Sequence, residues 1–106
     1  MHSIIIPAYN EELRISKTLK DYTKVFGRDY EFIVVCDGDD RTADIVRRLG
    51  YKDKRIRVVI SGRRLGKGGA IYKGFDAAKG STIGFTDADE GVKPGEYRKL
   101  MKHLDR

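Results

Sequence analysis

A chain of 106 residues, 40% of them hydrophobic and 36% charged, is long enough for one globular domain and too short for two. The net charge of +6 favours anionic partners such as nucleotides, nucleic acids or acidic membranes, without choosing among them. The single cysteine, Cys36, excludes an internal disulfide and is typical of a reducing compartment. No run approaches the roughly 20 apolar residues that span a bilayer, and residues 3–6 are too short for a signal peptide. We therefore expect a cytoplasmic location, either free or at the cytoplasmic membrane surface.

Strands and helices alternate along the chain. In chain order, the sequence predicts a strand over residues 3–6, a helix over about 11–26, a strand over 30–36, a helix over about 42–49, a strand over 56–61, a helix over about 67–79, a buried strand over 82–86 and a helix over 94–105. Such alternation predicts a mostly parallel sheet with right-handed crossovers.

Each helix is expected to bury one apolar face and to end at a defined residue. The predicted inward residues are Ile15, Leu19, Tyr22 and Phe26 in the first helix, Ile71, Gly74, Phe75 and Ala78 in the third, and Tyr97, Leu100, Met101 and Leu104 in the fourth. Gly27, Gly50 and Gly80 are expected to close the first three helices in the left-handed conformation that glycine accepts.

The loops that follow the strands carry the chain's most unusual residues. They cover residues 7–12, 37–41, 62–66 and 87–91, and all four are polar, whereas the helix-to-strand turns are plainer. In a parallel sheet these four loops lie along one edge, which is where open α/β sheets bind ligands. The sequence therefore predicts a functional site at that edge.

Asp87 and Asp89 are the strongest chemical signal in these loops. Residues i and i+2 of a strand point to the same side, so both carboxylates are expected to emerge together at the end of the fourth strand. Two adjacent carboxylates repel unless a cation lies between them, which predicts a hard-metal site beside a phosphate-bearing ligand. Turn chemistry and a helix cap are the alternative interpretation.

The first two loops offer groups that suit a nucleotide. Tyr9 could stack on a flat ring, and Asn10 is expected to cap the first helix with Glu11 and Glu12 in its first turn. The alternative is that Asn10 and the two glutamates serve only to start the helix. Asp37 could accept a hydrogen bond from a base N–H, with an Asx turn as the alternative. Its neighbours Asp39 and Asp40 are expected to cap the second helix.

The third loop is basic and rich in glycine. Arg63, Arg64 and Lys67 surround three glycines, and glycine lets a backbone approach phosphate closely at a helix N-terminus. The spacing matches neither a P-loop nor a dinucleotide fingerprint. A phosphate-binding turn and a solvated surface loop both remain open.

The four motifs, in this order, resemble the nucleotide-sugar-dependent glycosyltransferases of family 2, which have the GT-A fold. The matching segments are residues 4–12 (Ile-Ile-Ile-Pro-Ala-Tyr-Asn-Glu-Glu), 33–38 (Ile-Val-Val-Cys-Asp-Gly), 66–70 (Gly-Lys-Gly-Gly-Ala) and 85–89 (Phe-Thr-Asp-Ala-Asp). The resemblance covers roughly residues 3–104. The third and fourth motifs are most similar to enzymes that load a sugar onto dolichyl or another polyprenyl phosphate.

This resemblance implies a fold, an activity and a set of site residues. The fold is a Rossmann-like α/β GT-A half-domain of about four mostly parallel strands in the order 3-2-1-4, with helices on both faces. The activity is inverting transfer from a UDP- or GDP-linked sugar with Mg²⁺ or Mn²⁺, with a polyprenyl phosphate as acceptor. The implied roles are nucleotide-pocket lining by Pro7, Tyr9 and Glu11, base reading by Asp37, a place near the diphosphate for Lys67, metal binding by Asp87 and Asp89, and a backbone contribution from Ala88.

The chain also departs from the family pattern. Cys36 replaces the first aspartate of the Asp-Asp-Gly pair, and Glu90 could stand in for a missing metal ligand. The family's catalytic domain is about twice as long in domain-size terms. The second half normally supplies the acceptor site, the general base and any membrane anchor, so none of these is assigned here.

Two other functions stay open from the residues alone. A nucleotidyltransferase also uses carboxylate-held Mg²⁺, but its glycine-rich loop normally follows the first strand, where this chain has residues 7–10 without glycine. A basic module that binds RNA or phosphate fits the net charge but leaves the acidic loops unexplained, so no nucleic acid is expected as a partner. A naturally short chain would cover apolar surface by forming a homodimer.

Overall fold

The computed structural model describes residues 1–104, apart from the side chains of residues 101, 103 and 104. Strands and helices alternate as the sequence predicts. In chain order the elements are β1 (His2–Ala8), α1 (Ile15–Val25), β2 (Tyr30–Cys36), α2 (Thr42–Lys52), β3 (Ile56–Ile60), α3 (Gly66–Ala77), β4 (Thr82–Phe85) and α4 (Pro94–Leu104).

The four strands form one parallel sheet in the order β3-β2-β1-β4, which confirms the expected topology. β1 is central: it pairs with β2 from His2↔Tyr30 to Ala8↔Cys36, and with β4 from His2↔Thr82 to Ile5↔Phe85. Its three consecutive isoleucines have no exposed surface, because successive side chains point to opposite faces and helices cover both. Each such burial stabilises the fold by roughly 1.5–3 kcal/mol.

Two apolar clusters hold the helices against the sheet. On one face Ile4 and Ile6 pack with α1, α2 and Tyr97 of α4, and on the other Ile5 packs with Ala70 of α3. Helices on both faces were expected, and they are found. The larger cluster lies on the α1 side, where the rings of Tyr22, Phe26, Phe32 and Tyr97 contact one another.

A buried carboxylate ties the amino-terminal edge of the sheet together. Glu31 in β2 is 2% exposed and accepts hydrogen bonds from Ser3 Oγ (2.6 Å), the Lys79 N–H (2.6 Å) and Arg57 Nη1 (2.8 Å). Burial alone would raise the pKa of Glu31, but these donors outweigh it and hold that pKa below its usual value. The network joins the chain after α3 to β1, β2 and β3.

The predicted helix closures at glycine are wrong. α1 ends at Val25 and α3 at Ala77, α2 continues through Gly50 to Lys52, and the residues that follow these helices are extended. Among the glycines in residues 1–104, only Gly66 has a positive φ, 74°. Close packing explains why two of the three predicted closing positions carry glycine. An added Cβ at Gly50 would lie 3.0 Å from the Ile56 carbonyl oxygen, and one at Gly80 would lie 2.6 Å from Ser3 Oγ.

Several side chains predicted to point inward are exposed. Phe75 in α3 is 48% exposed and Leu100 in α4 is 61% exposed. α3 buries Gly74, as predicted, together with Ala70. β4 is an edge strand with Phe85 52% exposed, not a buried strand, because it pairs only with β1 while α3 packs on β1 and β2. The predicted burial of Met101 and Leu104, and the predicted helix end at residue 105, lie outside the described part of the chain.

The contact between α3 and β1 predicts a large effect for one added methyl group. An alanine Cβ at Gly74 would lie 2.5 Å from Cγ2 of the fully buried Ile5, so Gly74→Ala must push the helix off the sheet. We expect the free energy of unfolding in urea to fall by about 1–3 kcal/mol. The matched control is Gly68→Ala in the same helix, where a Cβ meets open space and stability should rise by about 0.4–1 kcal/mol. Unchanged stability of Gly74→Ala would contradict this packing.

Candidate functional site

A cleft of about 190 Å³ opens at the carboxyl ends of the strands, at the edge that the sequence predicts. All four strand-to-helix loops contribute to its wall. The structure brings together all eight predicted site residues, which are Pro7, Tyr9, Glu11, Asp37, Lys67, Asp87, Ala88 and Asp89. Their roles in binding stay predictions, and the contacts below describe what each side chain does in the protein itself.

Asn10 joins the first loop to the second. It has a φ of 53°, and its Oδ1 accepts hydrogen bonds from the backbone N–H groups of Asp39 (3.1 Å) and Asp40 (3.3 Å). The predicted capping of the first helix by Asn10 is therefore wrong, and α1 begins only at Ile15. Gly38 lies so close to Asn10 Oδ1 that an added Cβ would be 2.3 Å away, which explains the glycine after Asp37.

The start of α2 completes this junction between the first two loops. Thr42 Oγ1 accepts the Glu11 N–H at 2.9 Å, and Asp40 accepts both the Thr42 N–H (3.0 Å) and the Glu12 N–H (3.2 Å). Arg41 is the N-cap of α2 and makes no side-chain capping hydrogen bond, so the predicted capping of this helix by Asp39 and Asp40 is wrong. Asp39 is exposed and contributes its backbone. The hydrogen bond to Thr42 therefore holds Glu11 in position, because α1 begins only four residues later.

Asp37 holds the third loop in place. Its side chain is 2% exposed, and its Oδ2 accepts hydrogen bonds from Arg64 Nη1 (2.8 Å), the Leu65 N–H (2.8 Å) and the Gly66 N–H (3.2 Å). These partners lie 27 to 29 residues further along, so the contacts are not those of an Asx turn. Burial by itself raises the pKa of Asp37, but the Leu65 and Arg64 hydrogen bonds and the guanidinium charge together lower it.

Arg64 is a site residue that the sequence did not single out. Its guanidinium lies 3.8 Å from the centre of the Tyr9 ring while it also bonds Asp37, so it joins the first, second and third loops. Such a cation–π contact adds about 0.5–1 kcal/mol at an exposed site. The loop's basic composition was visible, but only the folded contacts distinguish Arg64 from Arg63.

The Asp-Ala-Asp loop is fixed by polar side chains of α1. Thr18 Oγ1 donates to the Ala88 carbonyl at 2.6 Å, and the Tyr22 hydroxyl lies 2.8 Å from Thr86 Oγ1 and donates to the Val92 carbonyl at 2.6 Å. Both α1 residues are fully buried. They satisfy backbone groups that would be costly to bury alone, and they set the direction in which Asp87 and Asp89 leave the sheet.

The two aspartates converge, and their chemistry fits a hard divalent cation. A Cβ built on Gly91 would lie 3.3 Å from Asp87 Oδ2 and 3.6 Å from Asp89 Oδ1, so both carboxylates flank the same point of the backbone. Carboxylate oxygens are the ligands that Mg²⁺ and Mn²⁺ prefer. A cationic group already stands there, because Lys67 Nζ lies 2.7 Å from Asp87 Oδ1.

The pair offers an incomplete ligand set by itself. Across the residues that the structure describes, no third histidine, cysteine, aspartate or glutamate joins a metal-binding group. The suggestion that Glu90 supplies a ligand is wrong: its side chain is 7% exposed, and it pairs with Lys17 (3.4 Å) and Lys93 (3.8 Å). The backbone at Glu90 lies in the left-handed region, with a φ of 62°.

Two further titratable groups have pKa values that bear on the chemistry. The hydrogen bond and the charge of Asp87 raise the pKa of Lys67, so its ammonium is charged at neutral pH. Burial raises the pKa of the Cys36 thiol to about 12, which keeps it protonated and excludes it as a thiolate nucleophile. Cys36 is a small buried residue at the end of β2.

Four parallel strands in this order, with the cleft at their carboxyl edge, are the N-terminal part of the GT-A fold. S. aureus TarS 1–349 has the same arrangement, and the two structures match with a TM-score of 0.82. The match covers 98% of this chain and 32% of that chain, at 24% sequence identity. The chain belongs to glycosyl transferase family 2, whose model matches residues 3–106. The resemblance drawn from the four motifs is thereby confirmed.

The chain is similar to curated glycosyltransferases, one of which is named for dolichyl phosphate. It is 37% identical to the glycosyltransferase AglD of Haloferax volcanii over 90% of its own length and 18% of that protein. It is 33% identical to the dolichyl-phosphate beta-glucosyltransferase ALG5C of Trichomonas vaginalis over 96% of its length and 33% of that protein. The chain thus spans about a third or less of these relatives.

A solved structure with bound ligands is also similar. The mannosyltransferase PcManGT of Pyrobaculum calidifontis, in complex with GDP-Man and Mn²⁺, matches with a TM-score of 0.72 at 29% identity, over 83% of this chain and 27% of that one.

Within residues 1–104, none of the helices combines the length and the apolar character that a bilayer crossing requires.

The contacts of Asp37 predict a pH-dependent loss of stability on substitution. Because its pKa is lowered on folding, the ionised carboxylate stabilises the protein above the unfolded value of about 3.9, and this contribution disappears as the pH falls through the lower folded value. We expect Asp37→Asn to lower the free energy of unfolding by about 1–3 kcal/mol at pH 7. The difference from wild type should shrink below about pH 4.

Urea denaturation between pH 2.5 and 7 measures this difference. Asp39→Asn, an exposed aspartate two residues away, is the matched control and should change little at any pH. A deficit for Asp37→Asn that stays constant down to the lowest pH would contradict the role of the ionised carboxylate.

Proposed function

We propose that this chain is the nucleotide-sugar-binding part of a family 2 glycosyltransferase that uses Mg²⁺ or Mn²⁺ and transfers a sugar, with inversion, to a polyprenyl phosphate. One observation carries the proposal: a single cleft holds an aromatic ring and a buried carboxylate at one end, and paired carboxylates with a lysine at the other. The similarity to a dolichyl-phosphate beta-glucosyltransferase supports the class of acceptor.

The Tyr9 end of the cleft suits a nucleobase. The Tyr9 ring is 48% exposed, and Arg64 lies against it, so a base could stack on this ring or on the guanidinium. Hydrogen bonds from the described residues to the Asp37 carboxylate converge on Oδ2, which leaves Oδ1 for an N–H of uracil or guanine. Pro7 and Glu11 complete the wall on that side.

The Asp87 end suits a diphosphate. Gly66 has a φ of 74°, and Gly66 and Gly68 have open space where a Cβ would stand, so the N-terminus of α3 can approach phosphate oxygens. Lys67 in this first turn supplies a positive charge, and Asp87 and Asp89 would hold a divalent cation beside the diphosphate. When bound there, a divalent cation neutralises the charge that develops on the departing nucleoside diphosphate.

The same contacts favour this function over the two alternatives. The family match supports a glycosyltransferase over a nucleotidyltransferase. An RNA-binding module would gain from the net charge of +6, but the cleft presents Asp37, Asp87 and Asp89, which repel phosphates unless a cation intervenes. We therefore propose a nucleotide-sugar as the ligand and no nucleic acid as a partner.

Calorimetry of UDP and GDP with Mn²⁺ tests the metal role. We expect wild type to bind at least one nucleotide in a manganese-dependent way, and Asp89→Ala to lose about tenfold or more in affinity, since even indirect partners of metal ligands are worth about 10–100-fold. Asp76→Ala removes an exposed aspartate of α3 outside the cleft and should bind as wild type does. Equal manganese-dependent affinity in wild type and Asp89→Ala would remove the Asp-x-Asp role.

Sugar transfer by the isolated chain should be slight or absent. No general base or acceptor site is assigned in it, and its relatives are about three or more times longer. Transfer of labelled sugar from UDP-glucose or GDP-mannose to a short polyprenyl phosphate measures this, with a full-length relative as the positive control. Robust turnover by the purified 106-residue chain would refute the expectation.

A further inference from the structure

The ion pair between Lys67 and Asp87 joins α3 to the loop after β4 within the cleft. Lys67 lies in the first turn of α3 and Asp87 directly follows β4, and their charged atoms are 2.7 Å apart. The two side chains are 59% and 47% exposed, so neither is locked by burial. Asp89 also contributes to the field around the ammonium. The lysine therefore lies on one of the two carboxylates that fit a divalent cation.

An ammonium and a divalent cation compete for the same carboxylate. Their charges repel at contact distance, and Asp87 Oδ1 already accepts the lysine hydrogen bond. In the described part of the chain no third histidine, cysteine, aspartate or glutamate joins the pair, so the cation gains no further charged protein ligand to offset this repulsion. A diphosphate changes the balance, since it adds negative charge that accommodates both cations and offers oxygens to each.

We propose that Lys67 is a tethered counter-ion that occupies Asp87 until a diphosphate arrives and then transfers its ammonium to the phosphates, so that metal and nucleotide bind interdependently. The inference rests on the proposed function. It adds that the Lys67 ammonium moves from Asp87 to the phosphates when the diphosphate binds. The long lysine stem permits this movement, and it starts next to Gly66 and Gly68, where space for a Cβ is open.

Manganese binding without nucleotide is the direct test, measured from the free Mn²⁺ signal in electron paramagnetic resonance. Lys67→Met removes the competing ammonium and keeps the length of the side chain, so we expect Mn²⁺ to bind on the order of tenfold more tightly than to wild type. Lys67→Arg keeps the charge and should show no gain. Adding Asp87→Asn to Lys67→Met should abolish the gain, which would locate it at this carboxylate.

Lys73→Met is the matched control for net charge. It makes the same substitution on an exposed lysine of the same helix, outside the cleft, and should leave manganese affinity unchanged. With saturating UDP or GDP, the gain from Lys67→Met should become smaller, because the lysine has then already left Asp87.

Three results would overturn the proposal. The first is no increase in manganese affinity for Lys67→Met over wild type, which includes the case in which neither protein binds manganese. The others are an equal increase for Lys73→Met, and an increase for Lys67→Met that is the same with and without nucleotide. If nucleotide binding depends on Asp89 but Lys67→Met shows no gain, the exchange role falls and the proposed function stands. If neither nucleotide binds while Lys67→Met still increases manganese affinity at Asp87, the proposed function is refuted, and so is the transfer of the ammonium to phosphate. The role of Lys67 as a counter-ion of Asp87 would stand.

Discussion

The central strand β1 is the constraint on which the rest of the molecule depends. It is hydrogen-bonded to β2 along one edge and to β4 along the other, and its isoleucines are buried on both faces. A slip of one residue would exchange the two buried faces, so the register is strongly specified. With the register fixed and all pairs parallel, the loops after β1, β2 and β4 must emerge side by side, and a site can form from residues as distant as Tyr9 and Asp87.

Polar contacts between loops then turn proximity into a defined cleft. Asn10 binds the second loop, Asp37 binds the third, and Thr18 and Tyr22 of α1 bind the fourth. The residues Asp37, Thr18 and Tyr22 are themselves buried, which makes their hydrogen bonds costly to break. The cleft is thus held by its own side chains in addition to the sheet beneath it. Arg64, which contacts both Tyr9 and Asp37, shows how one side chain can belong to three loops at once.

Charge is arranged differently in the cleft than over the whole chain. The net charge is +6, yet the cleft collects three aspartates, of which Asp37 pairs with Arg64 and Asp87 with Lys67. The first pair is anchored by a nearly buried carboxylate and also bonds backbone N–H groups, so it is structural. The second pair is half exposed, has no such support, and is the one that an incoming diphosphate can rearrange.

The sequence by itself determined the element order, the parallel sheet, its strand order through the family resemblance, and the edge where the eight candidate residues meet. These follow from hydrophobic periodicity and from the rule that parallel strands end on one side, which are local or topological properties. Only the tertiary structure decided that Asn10 hydrogen-bonds to a neighbouring loop and that Asp37 pairs with Arg64. It also decided that Glu90 pairs with Lys17, and that Phe75 and Leu100 are exposed. Those outcomes depend on contacts between residues far apart in the chain, and on which surfaces the neighbouring elements cover, and neither is encoded in the spacing of one segment.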